Sequence, residues 1–135
     1  MDMLFLVALI IEALFGVGFV LVPVPMLGPF GVTLDAAATT FARLFGSALI
    51  SFPVLLWLAR KSDKPEFKQG AVYSLFVYYL VSTVLLVMTQ VAGQMNALGW
   101  IVVGIHVVLL AGFGYFFMKL TRASVSEHKV TGAHT

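Results

Sequence analysis

Apolar residues dominate four long stretches of the chain, and short polar or proline-rich segments separate them. The stretches cover about residues 3–22, 36–59, 69–92 and 97–120. Each has roughly 20 residues or more, the length that a helix needs to cross a hydrocarbon core of about 30 Å. The pattern therefore predicts an all-α membrane protein whose four transmembrane helices form one domain over residues 1–122. The polar segment 123–135 is predicted to be a flexible tail.

The segment between the first two stretches, residues 23–35, carries Pro23, Pro25 and Pro29. Proline has no backbone N–H and disfavours a helical conformation in the residue before it, so we expect a loop here. Thr33 or Asp35 then precedes the second stretch, and the side-chain oxygen of either one can accept a hydrogen bond from the first turn of a helix. The second helix is therefore expected to begin with a side-chain cap.

Composition agrees with a membrane location. Of the 135 residues, 61% are hydrophobic and 10% are charged, and the mean hydropathy is +1.04. Soluble domains have about 25% charged residues. The first stretch differs from a secretory signal peptide, because Asp2 stands at its start in place of basic residues, Glu12 interrupts it and no small-residue cleavage site follows. We therefore expect an uncleaved helix. The chain has no cysteine, which excludes disulfides and thiolate chemistry.

The distribution of positive charge predicts the topology. With four crossings, one side of the membrane receives Arg60, Lys61, Lys64, Lys68, Lys119, Arg122 and Lys129. The loops at 23–37 and 93–97, on the other side, have no Lys or Arg. Because basic residues stay on the cytoplasmic side, both termini are predicted to be cytoplasmic. The short connections favour an up-down antiparallel bundle.

Several polar residues lie inside the apolar stretches, where each has a cost in free energy. They are Glu12, Arg43, Ser47, Ser82, Thr83 and His106. At about 1.5 Å of rise per residue they fall within one slab near mid-membrane. We expect Arg43 to pair with Glu12, with His106 as the third member. This polar cluster is either a structural lock between helices or a site that binds a ligand headgroup or relays a proton.

Other chemistry finds little support in the sequence. Bis-histidine haem ligation needs two histidines in the membrane and only His106 qualifies, while catalytic zinc usually has three protein ligands. No catalytic triad or phosphate-binding loop is present, so we predict no catalytic residue, cofactor or metal.

Aromatic residues, among them Phe113 and Phe117, cluster near the end of the fourth stretch. They are expected to fill the core and to lie at the membrane interface. The alternative is that they form a groove for a flat lipid, quinone, carotenoid or sterol.

Two longer segments carry a family resemblance. They are FARLFGSALISFPVLLWLAR, with its Ala-Arg-x-x-Gly motif at 42–46, and NALGWIVVGIHVVLLAGFGYFF, which opens with Asn-Ala-Leu-Gly-Trp at 96–100. With the basic loop between them, they resemble small bacterial four-helix membrane proteins of the DUF4345-like or DoxX-like sort. The resemblance implies a four-helix bundle in a bacterial inner membrane and no established activity.

From these features we expect a non-enzymatic integral membrane protein. It would be an accessory subunit of a membrane complex or a binder of a hydrophobic ligand such as a lipid, quinone or pigment. Its expected partners are membrane lipids and either further copies of the chain or a larger complex, but not nucleic acid. The alternative is a small transporter or proton-coupled carrier that uses Glu12 and Arg43. An enzyme that acts on a lipid, with His106 or Glu12 as the base, is a third hypothesis.

Overall fold

A computed structural model of the protein describes the backbone of residues 1–132 and the side chains of residues 1–122. Its long helices are α1 (Asp2–Leu21), α3 (Ala36–Lys61), α4 (Pro65–Val91) and α5 (Gly99–Gly132), and a short helix α2 (Pro23–Leu27) follows α1. No strand occurs in the described part of the chain. All four long helices are long and apolar enough to cross a membrane, which confirms the number of predicted spans.

Two helix boundaries differ from the prediction by more than two residues. Helix α4 begins at Pro65 instead of about residue 69, because proline is well suited to a first turn and Glu66 beside it suits the positive end of the helix dipole. Helix α5 continues to Gly132, beyond the expected end near residue 120. The predicted tail at 123–135 therefore begins as helical backbone, and residues 133–135 lie outside the described residues.

The proline-rich segment after α1 is largely helical, whereas the sequence predicted a loop. Val22 leaves the helical conformation directly before Pro23, as the proline requires. Pro23 then opens α2, where a missing N–H costs nothing, and a 3₁₀ turn follows at Gly28–Phe30. Gly31, at φ 80°, ends this turn in the left-handed region. The prediction of a cap was right, since Asp35 accepts a hydrogen bond from Ala38 N at 2.7 Å.

Helices α1 and α3 pack closely through two glycines. A Cβ atom on Gly46 would lie 2.8 Å from the carbonyl oxygen of Gly16 and 2.9 Å from the amide nitrogen of Val20. A Cβ atom on Gly16 would lie 3.1 Å from the amide nitrogen of Ile50. These contacts run in opposite sequence directions, so the two helices are antiparallel at this crossing. Small residues allow such close backbone approach.

The core lies at the end of the helices that carries Arg60, Lys61 and Lys64, which we call the basic end. All four long helices contribute to it through Phe5, Ala8, Leu56, Ala59, Ala71, Val72, Leu75, Tyr79, Leu109 and Phe113. Phe113 joins three helices there, because its ring stacks on Phe5 of α1 and on Tyr79 of α4. The part of the predicted aromatic cluster that includes Phe113 therefore fills the core.

Large apolar side chains cover the outside of the helices. Leu14, Phe41, Val84 and Val108 are each more than half exposed, and they come from four different helices. A soluble monomer rarely exposes apolar surface in every direction, whereas a protein surrounded by lipid does. The fold is thus that of a multi-pass membrane protein.

Candidate functional site

The opposite end of the helices contains a cavity, partly open to the surroundings, instead of a packed core. We call this the proline end, since the segment 22–35 lies there together with the α4–α5 connection at 92–98. The cavity has a volume of about 370 Å³ and lies between the α1–α3 pair and the α4–α5 pair. Most of its lining is apolar, with Phe15, Phe19 and Phe45 from the first pair and Leu85 and Leu86 from the second.

The polar groups of the cavity are concentrated at its inner end, which we call the floor. Glu12, Tyr78, Ser82 and His106 line the cavity at this level. Towards the proline end, by contrast, the lining is formed by Met26, Leu27, Phe30, Val32, Thr89 and Met95. A site of this shape has an apolar body and a small polar end, which is the usual arrangement of a pocket that orients a ligand.

Glu12 is the central residue of the floor. Its side chain is 3% exposed, and its Oε1 accepts a hydrogen bond of 2.6 Å from the Tyr79 hydroxyl. The second carboxyl oxygen has no hydrogen-bond partner among the described residues. A buried polar group is costly without a partner, so Tyr79 stabilises one half of the carboxyl group and the other half is left for the cavity.

His106 is oriented by its own helix and by two tyrosines. Its Nδ1 lies 3.0 Å from the Val102 carbonyl oxygen, and because a carbonyl only accepts, Nδ1 carries the hydrogen. The ring packs edge-on against Tyr79, with centroids 5.7 Å apart, and lies 6.4 Å from the Tyr78 ring. The opposite nitrogen, Nε2, has no partner in the described part of the protein.

Arg43 is not part of this site, contrary to the prediction. Its side chain is exposed, and no ion pair joins it to Glu12. The glycine contact explains why. Gly46 lies against Gly16 and Val20, so Arg43, one turn closer to the proline end, is level with the last turn of α1. This position is about 10 Å or more from Glu12 along the helix axis, too far for the expected pair.

The three predicted hydroxyl residues separate in the structure. Ser82 lines the cavity, and its hydroxyl donates to the Tyr79 carbonyl at 3.4 Å. Ser47 is exposed and donates within its own helix to the Leu44 carbonyl at 2.7 Å. Thr83 is buried with its hydroxyl unpaired, but it does not line the cavity. Of the six predicted residues, the structure therefore brings together Glu12, Ser82 and His106.

At the proline end, Asn96 connects the two helix pairs through hydrogen bonds to the segment that follows α1. Its backbone N–H donates to the Phe30 carbonyl at 2.8 Å, and its side-chain Nδ2 donates to the Pro29 carbonyl, also at 2.8 Å. Its Oδ1 accepts from Leu98 N at 2.9 Å, next to the start of α5. Because Phe30 and the neighbouring Met95 line the cavity, this connection forms part of its wall at the proline end.

Gln90 supports the same connection from inside. The side chain is 8% exposed, and its Nε2 donates to the Asn96 carbonyl at 3.0 Å. Its Oε1 occupies the space that a Cβ atom on Gly99 would need, so a side chain at residue 99 would displace the amide. The sequence did not predict the roles of Asn96 and Gln90 or the tyrosine partner of Glu12. Their roles depend on contacts between distant segments, which leave no periodic signal in one sequence.

Among the described residues, no three His, Cys, Asp or Glu side chains lie close enough together to bind a metal ion. The fold and the cavity define the class of the protein as an all-helical membrane protein with an apolar internal cavity. No family model, curated protein or solved structure matches the chain. Its function must therefore be inferred from the cavity.

Proposed function

We propose that the protein binds a small hydrophobic molecule within the membrane, in the cavity between its two helix pairs. The cavity itself carries this proposal. Its volume of about 370 Å³ lies within the range of small-molecule sites, about 300–1,000 Å³, and its lining is apolar apart from the floor and Thr89. The apolar body of a ligand would lie among Phe15, Phe19 and Leu86, with its polar end at Glu12 and His106.

We further propose that the helices form an up-down bundle in a bacterial cytoplasmic membrane, with both termini in the cytoplasm. The positive-inside rule supports this orientation, because the basic end carries Arg60, Lys61 and Lys64 while the loops of the proline end have no Lys or Arg. The cavity would then lie in the outer half of the membrane. We also propose that the protein belongs with the DUF4345-like or DoxX-like group, whose four-helix bundle agrees with this arrangement.

The other functional hypotheses have less support. A carrier that uses a Glu12–Arg43 pair would need a large rearrangement, since the register of α1 and α3 keeps the two residues apart. An accessory subunit would dock through its outer surface, and the apolar residues there are equally suited to lipid. The cavity, in contrast, is a feature that a lipid-facing surface does not explain.

Ligand binding can be tested with two tryptophan substitutions on α4. Leu86 lines the cavity, so Leu86→Trp would fill part of it, whereas Val84, 52% exposed, points outward and Val84→Trp is the matched control. The purified protein would be incubated with dodecanol, released from its micelle and examined by native mass spectrometry. We expect one bound dodecanol in the unchanged protein and in Val84→Trp, and at least about tenfold less in Leu86→Trp.

Two results would overturn the proposal. One is equal retention of dodecanol by Leu86→Trp and Val84→Trp, which would place the molecule on the outer surface. The other is an unchanged protein that retains no dodecanol and no copurified lipid. Circular dichroism and gel filtration of each variant would show whether its helix content and its size match those of the unchanged protein.

A further inference from the structure

At the floor of the cavity some hydrogen-bonding groups have partners within the protein and others do not. Tyr79 O–H donates a hydrogen bond to Glu12 Oε1, and the Ser82 hydroxyl donates one to the Tyr79 carbonyl. Three groups remain without partners in the described part of the chain, namely the second carboxyl oxygen of Glu12, Nε2 of His106 and the hydroxyl of Tyr78. Two of these are heteroatoms that can accept, and the third both donates and accepts.

A ligand satisfies this set only if its polar end both donates and accepts. A hydrocarbon would leave all three groups unpaired, and a buried polar group without a partner costs about 1–3 kcal/mol. An ether or a ketone could accept from Tyr78 O–H but would offer no hydrogen to Glu12 or His106. A hydroxyl group can donate to one of those acceptors and accept from Tyr78 at the same time.

The three groups belong to side chains that pack around one another at the floor. The rings of Tyr78 and Tyr79 are 5.0 Å apart, and the His106 ring lies 6.4 Å from the first and 5.7 Å from the second. Tyr79 in turn is bonded directly to Glu12. Charge argues against a phosphate or carboxylate end, because no cation lies among the residues that line the floor.

The size of the cavity limits the rest of the ligand. From Glu12 to Leu21, the end of α1, the distance along the helix is about 14 Å. Beyond that point the cavity is lined by Met26 and by Met95, which lies next to the Asn96 connection. The space therefore suits one apolar chain or ring system that is no longer than half the membrane thickness, and not a two-chain phospholipid.

We infer that the natural ligand of this site is an apolar molecule with a single terminal hydroxyl, as in a long-chain or polycyclic alcohol or a phenol. This inference rests on the proposed function, because it assigns a ligand class to the same cavity. The hydroxyl would lie at the floor, between Glu12, His106 and Tyr78, and the apolar part would extend towards the proline end.

The test compares three molecules of similar shape: dodecanol, dodecyl methyl ether and dodecane. Each would be added to the purified protein at the same mole fraction of the micelle, and bound molecules would be counted by native mass spectrometry. We expect dodecanol to bind about tenfold more tightly than the ether and the alkane. Nitrogen NMR of protein labelled at histidine adds a direct readout, since the His106 Nε2 signal should shift with dodecanol and not with dodecane.

Tyr78→Phe and Glu12→Gln identify the groups responsible. Tyr78→Phe keeps the ring and removes only the hydroxyl, so it should reduce dodecanol binding severalfold and leave dodecane binding unchanged. Glu12→Gln keeps an oxygen for Tyr79 and places an amide where the second carboxyl oxygen was, which should reduce the preference for the alcohol. Should one of these variants fail to fold, the other and the comparison of ligands in the unchanged protein still decide the matter.

The outcomes separate this inference from the proposal on which it rests. Equal binding of all three molecules in the cavity would overturn the hydroxyl assignment and leave hydrophobic binding intact. The same conclusion would follow if dodecanol bound without a shift of the His106 signal. Loss of binding for all three molecules would overturn both.

Discussion

Replacing Gly46 by alanine should separate α1 from α3. The added Cβ atom would lie 2.7 Å from the Phe19 Cβ, 2.8 Å from the Gly16 oxygen and 2.9 Å from the Val20 nitrogen, where ordinary contact begins at 3.4 Å. Two of these three atoms belong to the backbone, so no side-chain rotation relieves the contact. The two helices must move apart by about 0.5–0.7 Å, and a gap of that size removes about a quarter to a half of the attraction between facing atoms.

We expect Gly46→Ala to lower the free energy of unfolding by about 1–3 kcal/mol, the usual cost of an added group in a tightly packed interface. The control is Gly104→Ala in α5, where a Cβ atom would meet nothing within 4 Å. Both changes improve helix propensity equally, so their difference isolates the helix contact. Unfolding would be followed by circular dichroism in mixed micelles with increasing dodecyl sulfate. Equal stability of the two variants would refute the close approach of α1 and α3.

Two further changes test the ends of helices. Asn96→Ala removes the side-chain hydrogen bonds to Pro29 and Leu98, so hydrogen exchange at Leu98 N–H should accelerate and the free energy of unfolding should fall by about 1–2 kcal/mol. The control is Asn96→Asp, which keeps the acceptor for Leu98 N–H. Continued protection of that amide in Asn96→Ala would contradict the assignment. Asp35→Ala removes the cap on Ala38 N and should lower the free energy of unfolding by about 1 kcal/mol in a dodecyl sulfate titration. Asp35→Asn keeps a side-chain oxygen and should lower it much less. An equal decrease for both variants would exclude capping.

Much of the fold follows from local patterns in the sequence. Four apolar stretches predict four long helices because a helix in lipid must satisfy its own backbone hydrogen bonds. Asp35 is recognisable as a cap because its side chain acts within one turn of its own position. The prediction of a loop over the helical turn Pro23–Leu27 is wrong because proline, which breaks a helix in its interior, is favourable at the first position of a helix.

The site was predictable only in part, for a physical reason. Glu12 and His106 are conspicuous because ionisable groups in an apolar stretch are costly, and this signal needs no knowledge of the fold. Their partners depend on the register between helices, which the contact of Gly16 with Gly46 sets. That register makes Tyr79, and not Arg43, the neighbour of Glu12. A tyrosine in a membrane helix gives no such signal, since aromatic side chains are common there.

The position of Glu12 supports the proposal of a binding site over that of a simple structural contact between helices. A carboxyl group that served only to join helices would be most stable with partners for both oxygens and with packed neighbours on every side. Among the described residues Glu12 has one hydrogen-bond partner, Tyr79, and it lines a volume of about 370 Å³. A leucine at residue 12 would extend the apolar lining without burying a polar group that needs a hydrogen-bond partner. The carboxyl group at the floor is therefore better explained by a molecule that completes its hydrogen bonds than by helix packing alone.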